Sequence, residues 1–236
     1  GAFARVASDD ELSRLLTTAV REASGDQNLD VVVTEEFGIP PVSRDDCGFE
    51  RLEILAGNIG LVKLNRFARL ETCRAAAASA MDYLNKVDAL VLDLRDNRGG
   101  YPDMVMWMAA YLFDHPQFIY NPRETTTLAS WTASPVKGNR LADKPVYLLT
   151  SSRTASAAEQ FAYNMKMLRR AALIGATTSG KTHAGLLRWT ETRQGTPINP
   201  YGEKDWDGVG VSPHVQVEEA QAMERALRLA WSRLGL

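Results

Sequence analysis

The chain has 236 residues, of which 45% are hydrophobic and 24% charged, and its formal net charge is −2. This length suits one large domain, or a domain with a small appendage, and it allows a substantial core. The charge balance and the lack of a long basic run exclude the charge pattern of a nucleic-acid-binding protein.

The amino-terminal part, residues 1–47, is predicted to be a small helical region with one strand. Ser8 and Glu11 have capping-box spacing, and the apolar residues after them recur as on one face of a helix. Residues 28–37 predict a strand, and the Pro- and Gly-rich stretch 38–48 marks a domain seam.

The remaining chain, residues 48–236, is predicted to be an α/β core. Two strands, FERLEIL and IGLVKLNRF, precede a helix over residues 70–84. Apolar strands and helices then alternate in the order DALVLDLR, DMVMWMAAYLF, PVYLLTS, SAAEQFAYNMKMLRR and AALIGAT. A strand, GLLRWTET, and a closing helix, EEAQAMERALRLAWSRL, complete the chain. This alternation predicts parallel βαβ units with right-handed crossovers.

The longest apolar run, MVMWMAAYLF, has ten residues. It is too short to span a bilayer, so it predicts a buried helix and no integral membrane segment. The sequence shows no signal peptide, and it leaves the compartment and the oligomeric state open.

Cysteine and histidine usage predicts no metal site and no cofactor. The chain has two cysteines, too few for a disulfide framework, and Cys73 is predicted to be a buried free thiol on the apolar face of its helix. The histidines, His115, His183 and His214, are scattered and show no metal-ligand spacing.

The stretch GATTSGKT, residues 175–182, fits the phosphate-loop pattern at every fixed position. A phosphate loop also requires a helix that begins at its Lys-Thr end, because the helix amides hold the phosphates. The sequence after it, HAGLLRWTETRQGTP, has strand alternation instead, so a nucleotide site is disfavoured.

Two βα junctions bring candidate catalytic groups to one edge of the predicted sheet. The strand DALVLDLR is followed by the loop DNRGG, and the strand PVYLLTS is followed by SRTA and a helix that starts near Ser156. Gly99 and Gly100 allow backbone N–H groups to approach a ligand closely, and the N–H of Ala157 lies at the start of a helix. A serine beside such amides suits acyl transfer. The alternative is that Ser156 only caps a helix and the glycines only turn the chain.

Several blocks resemble the carboxy-terminal processing (tail-specific) serine peptidases. They are ALVLDLRDNRGGYPDMV, the helix start TASAAE and the segment RRAALIGATTSGKT. The blocks YLFD, SWTASP and WDGVGVSPHV are similar to the modules of interphotoreceptor retinoid-binding protein, a subgroup without a PDZ domain. The resemblance implies a ClpP/crotonase-like α/β core and a peptide or small acyl or hydrophobic substrate. It also implies that Ser156 is the nucleophile and that Gly99 or Gly100, with Ala157, forms the oxyanion hole.

The resemblance further implies that Lys181 is the general base of a Ser–Lys dyad. An exposed lysine titrates at about 10.4, so burial would have to depress the pKa of Lys181 for that role. His183 is a second candidate base, since histidine titrates near neutral pH. Both residues have the alternative of being ordinary loop residues.

The chain departs from the family pattern at the third catalytic position. Gly185 stands where the processing peptidases have an orienting glutamine. Asn28 and Ser212 stand where tricorn-type relatives have histidine and glutamate. No PDZ domain is recognisable either. These departures keep a second hypothesis open, a non-peptidase binding module or repurposed enzyme. Four aromatic residues are candidates for the lining of a pocket (Trp107, Trp131, Tyr163 and Trp189), although aromatic residues at helical spacing are more often part of the core.

Overall fold

A computed structural model describes residues 8–25, 31, 47–122, 131–132, 141–181, 199–202 and 204–236. The strand predicted at GLLRWTET lies outside these residues, as does the strand predicted at 28–37 apart from Val31. The chain divides into two compact units, Gly1–Arg44 with His183–Glu191, and Asp45–Thr182 with Thr192–Leu236. The predicted domain boundary at residue 48 remains a prediction.

The first unit contains helix α1, Asp9–Ser24. The Ser8 side chain accepts a hydrogen bond from the Glu11 N–H at 3.3 Å, as the capping-box spacing predicts. The helix ends at Gly25, whose left-handed conformation (φ 73°) lets its N–H bond back to the last turn.

The second unit is built on one six-stranded sheet. Its strands, in both chain and spatial order, are β1 (Phe49–Leu55), β2 (Ile59–Leu64), β3 (Ala89–Asp93), β4 (Val146–Thr150), β5 (Ala172–Gly175) and β6 (Val215–Gln216). β1 and β2 form an antiparallel hairpin, and all later neighbours are parallel. The predicted α/β core with parallel βαβ units is therefore confirmed. The short β6 was not predicted, because two residues carry no periodic signal.

Helices cover both faces of this sheet. They are α2 (Leu70–Leu84), α3 (Pro102–Ala110), α4 (Ala157–Met167) and α5 (Glu219–Leu234). Leu90 and Leu92 of β3 point into the core that contains residues of α2, α3 and α4, whereas Val91 points into a second core with α5. This alternation follows from the period of two along a strand, and it explains why every residue of β3 is apolar up to Asp93.

None of the helices in the described residues combines the length and apolar composition that crossing a bilayer requires. The run MVMWMAAYLF forms most of α3, and its residues Met104, Val105 and Met108 are buried in the core. The predicted buried helix is therefore confirmed.

The prediction that Cys73 is a free thiol is wrong. Cys73 is buried, as predicted, but it forms a disulfide with Cys47, at a Cα–Cα distance of 5.6 Å. The bond joins the residues just before β1 to helix α2. The sequence analysis looked for a framework of several bridges, and a single bridge between residues 26 apart leaves no pattern.

We expect the variant Cys47→Ser to lose about 2–4 kcal/mol of unfolding free energy, because the bridge restricts the unfolded chain. Chemical denaturation, with and without a reductant, measures the loss. The reduced wild-type protein should have the same unfolding free energy as the variant without reductant. An unchanged denaturation midpoint on reduction would show that the bridge does not contribute to stability.

Candidate functional site

The loops after β3 and β4 meet at the carboxyl edge of the sheet, as predicted. The Ala155 N–H donates to the Asn97 carbonyl at 3.0 Å, and the buried Thr154 hydroxyl donates to the Leu94 carbonyl at 2.8 Å. The Asn97 side chain also donates to the Leu64 carbonyl on β2 at 2.9 Å. These bonds hold the two loops as one structure.

Ser156 lies where the second loop turns into helix α4. Its backbone has φ 55° and ψ −120°, a conformation that a residue with a side chain rarely adopts. The residue is 9% exposed. Such strain persists only where surrounding contacts enforce it, and it recurs at nucleophilic serines placed on a sharp strand-to-helix turn.

Two backbone N–H groups in the segments around Ser156 have no acceptor among the described residues. Within the described part of the chain, the N–H groups of Gly100 and Ala157 donate to no protein atom. The Ala157 N–H belongs to the first turn of α4, where N–H groups have no acceptor within the helix. In contrast, the N–H of Gly99 donates to Asn97 Oδ1 at 2.8 Å. Of the two predicted glycines, Gly100 therefore has the unused donor.

Gly99 and Gly100 permit the loop after β3 to approach two other segments closely. A Cβ added to Gly99 would lie 2.7 Å from the Ser156 Cβ and 2.9 Å from the Ala157 nitrogen. A Cβ added to Gly100 would lie 2.0 Å from the Phe67 carbonyl oxygen. Both glycines also have positive φ, 104° and 136° respectively. The DNRGG loop thus needs glycine at position 99 to pack against the serine and at position 100 to pack against the backbone of Phe67.

The carboxylate of Glu159 ties the serine to the loop after β5. Its side chain is fully buried, and Oε2 accepts from the Ser156 N–H at 2.9 Å and from the Lys181 N–H at 3.0 Å. Oε1 accepts from the Thr178 hydroxyl at 2.5 Å and from the Gly180 N–H at 2.6 Å. Burial raises the pKa of the Glu159 carboxyl, and the hydrogen bonds it accepts act in the opposite direction. Glu159 therefore has a structural role beside Ser156.

The structure brings the backbone of Lys181 close to the backbone of Ser156. Both backbone nitrogens lie within about 3 Å of the same Glu159 oxygen, so they are within about 6 Å of each other. Lys181 is exposed. The burial that the base role requires is therefore absent in this structure. The other candidate base, His183, lies outside the described residues.

The loop that matches the phosphate-loop pattern has its amides occupied by protein acceptors. Gly180 and Lys181 donate to Glu159, Thr178 donates to the Val211 carbonyl, and Ser179 donates to the Thr154 carbonyl. A phosphate cradle needs free N–H groups, so this geometry argues against a nucleotide at the loop.

A small cleft opens beside Ser156, with room of about 10 Å³. Its lining consists of residues from α3, α4 and three loops: Pro102, Asn121, Pro122, Ser156, Ala157, Gln160 and Trp206. Gln160 and Trp206 were not singled out in the sequence. The helical offset of four residues from Ser156 could have identified Gln160, since residues at that spacing share a helix face.

The aromatic residues expected at a pocket are mostly elsewhere. Trp107 and Tyr163 are buried in the core, and Trp131 is exposed and packs on Phe118. Trp189 lies outside the described residues. None of the three residues that the structure describes, Trp107, Trp131 and Tyr163, is part of the lining of the cleft.

Comparison with known proteins identifies similar chains. The model of peptidase family S41 matches residues 58–217. A "Probable CtpA-like serine protease" of Staphylococcus saprophyticus is 26% identical over 218 residues, which cover 86% of this chain and 44% of the relative. A protein of the same name from Staphylococcus haemolyticus is 26% identical over 70% of this chain and 34% of the relative. The chain thus spans less than half the length of these relatives.

Solved structures share the fold. A lipoprotein from Streptococcus agalactiae has a TM-score of 0.64 at 19% identity, over 97% of this chain and 84% of that one. The photosystem II D1 C-terminal processing protease has a TM-score of 0.51 at 24% identity, over 70% and 45% respectively. The predicted ClpP-like fold is confirmed by these likenesses. The finer resemblance to retinoid-binding modules remains a prediction.

We expect Glu159→Gln to lower the free energy of unfolding by about 2–4 kcal/mol. Glutamine keeps the shape of the side chain, but its NH₂ group would face N–H donors that now bond to a carboxylate oxygen. Thermal and chemical denaturation measure the loss. The matched control is Glu224→Gln, because Glu224 is an exposed partner of Arg228 and should cost at most about 0.5 kcal/mol. Equal effects of the two substitutions would contradict the role given to Glu159.

Proposed function

Because the chain belongs to peptidase family S41, we propose that it is a serine hydrolase in which Ser156 is the nucleophile and Lys181 the general base. The substrate class is a peptide, or a smaller acyl compound with the same carbonyl chemistry. The oxyanion hole consists of the N–H groups of Gly100 and Ala157.

The reaction follows from the placement of these groups. The Ser156 Oγ attacks the carbonyl carbon of the substrate while its proton passes to the Lys181 amine. Negative charge develops on the carbonyl oxygen, and the unused N–H groups of Gly100 and Ala157 stabilise it. The ammonium of Lys181 then returns the proton to the leaving amine, and an acyl-enzyme remains. Water, deprotonated by the same lysine, then attacks the ester carbonyl. The bond to the Ser156 oxygen breaks, that oxygen takes the proton back from the lysine, and the acid is released.

The observation that carries the proposal is the shared contact of Ser156 and Lys181 with one oxygen of Glu159. The bonds at 2.9 Å and 3.0 Å fix the backbone of both dyad members at one point. A lysine side chain has a flexible four-carbon stem of about 6 Å, which is enough to bring its amine to the serine oxygen. A bound substrate that covers Lys181 would supply the desolvation that the exposed side chain lacks.

The exposure of Lys181 favours the second candidate function, a non-peptidase binding module or an enzyme of different chemistry on the same scaffold. In that case the cleft beside Ser156 binds a small molecule and the serine is not acylated. The two functions differ on one point, since only the hydrolase needs a reactive Ser156.

Hydrolysis of an unfolded protein such as casein tests the proposal. We expect wild type to release peptides and Ser156→Ala to be inactive, with a loss of at least about 10³-fold. Lys181→Ala should lose a similar factor, because it removes the base from the same step. Lys144→Ala is the control, since Lys144 lies on the surface near Asp88 and should leave the rate unchanged.

Two results would contradict this function. Activity of Ser156→Ala equal to that of wild type would show that the cleavage has another origin. Full activity of Lys181→Ala with an inactive Ser156→Ala would remove the lysine from the dyad and leave His183 as the candidate base.

A further inference from the structure

The Cys47–Cys73 disulfide encloses the short segment that joins β2 to α2, residues 65–69, which we call the connector. Cys73 lies in the first turn of α2, directly after the connector. At the other end of the connector, the Asn65 N–H donates to the carbonyl of Gly48 at 2.9 Å, and Gly48 is the neighbour of Cys47 in the chain. The disulfide therefore links the two ends of the connector.

The backbone of Cys47 adopts a conformation that depends on its surroundings. Its φ is 44°, in the left-handed region, and that of Gly48 is 85°. A Cβ added to Gly48 would overlap the Arg66 carbonyl oxygen, so the backbone at Gly48 packs directly on the connector. A left-handed residue with a side chain persists only where surrounding contacts enforce it. Loss of the disulfide removes one of these contacts, so we expect Cys47 to relax and Gly48 to move away from Arg66.

The connector contacts the loop that carries a proposed oxyanion donor. The Phe67 N–H donates to the Gly99 carbonyl at 2.8 Å, and the Tyr101 N–H donates to the Phe67 carbonyl at 2.8 Å. These two bonds form a parallel bridge between Phe67 and Gly100, in which the N–H of Gly100 points away from Phe67. Arg69 adds a second contact, because its guanidinium donates to the Tyr101 hydroxyl at 3.0 Å and lies 4.8 Å from the ring centroid. The direction of the Gly100 N–H thus depends on the connector.

The side chain of Phe67 also contacts the helix that begins after Ser156. Its ring centroid lies 5.6 Å from that of Phe161 on α4, and both residues are buried. One residue of the connector therefore contacts the loop after β3 through its backbone and α4 through its ring. Because catalysis is sensitive to displacements of about 1 Å, a shift of Phe67 should weaken the stabilisation of the transition state.

The disulfide is accessible to a reductant from one side. Cys47 is only partly buried, whereas Cys73 is 5% exposed. A thiolate of a dithiol attacks the Cys47 sulfur and forms a mixed disulfide, and Cys73 leaves as a thiolate that takes up a proton. The second thiol of the reductant then closes its own disulfide and releases Cys47 as a thiol. Two electrons and two protons pass from the dithiol to the two cysteines.

We propose that the Cys47–Cys73 disulfide is a redox switch for the candidate active site. The oxidised bridge fixes the connector and, through Phe67, the Gly99–Gly100 loop, and reduction by a dithiol lowers turnover without unfolding the protein. The proposal rests on the proposed function for the activity that is controlled. It rests on the contacts of the connector for the coupling between the disulfide and the loop.

The rate of casein hydrolysis, measured with and without dithiothreitol, tests the switch. We expect reduction to lower kcat by roughly ten- to hundredfold and to change KM by less than about twofold, because an oxyanion donor acts in the transition state. Reoxidation should restore kcat. Circular dichroism of the same samples shows whether the reduced protein remains folded.

Two variants separate the switch from a general loss of stability. Cys47→Ser has no disulfide, so its kcat should equal that of the reduced wild type in either condition. Ile59→Ala is the matched control, because Ile59 is buried in the second core at the amino end of β2 and its truncation leaves a cavity far along the strand from the connector. This variant should keep the wild-type kcat and the wild-type response to dithiothreitol.

Hydrogen exchange separates the coupling from the reaction. Reduction should speed exchange of the Phe67 and Tyr101 amides by at least about tenfold and leave the amides of β5 unchanged. That result supports the coupling even if the protein hydrolyses nothing and the proposed function fails. Unchanged exchange at both amides, after alkylation has shown two free thiols, would overturn the switch. So would a disulfide that dithiothreitol leaves intact in the folded protein, or an unchanged kcat in a protein that is active when oxidised.

Discussion

The buried carboxylate of Glu159 is the interaction on which the candidate site depends. It accepts hydrogen bonds from Ser156 at the start of α4 and from the backbone of residues 180 and 181 after β5. A fully buried carboxyl is costly on its own, and the ring of donors around it offsets that cost. One side chain therefore fixes two segments that are far apart in sequence, and it does so at the point where the proposed nucleophile and base must meet.

The loop after β3 provides further constraints on the position of Ser156. The loop after β3 packs against Ser156 because Gly99 has no side chain, and Asn97 uses its own amide to shape that loop. The result is a serine with a strained backbone beside the Gly99–Gly100 loop and the start of α4. The resulting preorganisation is electrostatic and needs no metal or cofactor in the proposed steps. What this arrangement does not supply is a buried Lys181, so the proposed mechanism requires the substrate to complete the environment of that side chain.

The sequence could predict the elements that have periodic patterns and the residues that carry the family motifs. Helix α2 has the predicted bounds, and the two loops meet at the predicted sheet edge. The Cys47–Cys73 bridge was missed because pairing depends on tertiary proximity, which two cysteines do not reveal. Trp206 was missed for a similar reason, since it lies in an irregular segment and reaches the cleft only through the fold. The unused donor of Gly100 is a property of the whole hydrogen-bond network, and no local pattern encodes it.

The central claim is that the fold activates one serine. Labelling with a fluorophosphonate probe, followed by intact-mass measurement and peptide mapping, tests it without any assumption about the substrate. Our account predicts one covalent adduct per chain, located on Ser156, with labelling abolished in Ser156→Ala and strongly slowed in Lys181→Ala. A folded wild-type protein that takes up no probe would contradict the account, and it would identify the site as one that binds its ligand without acylation.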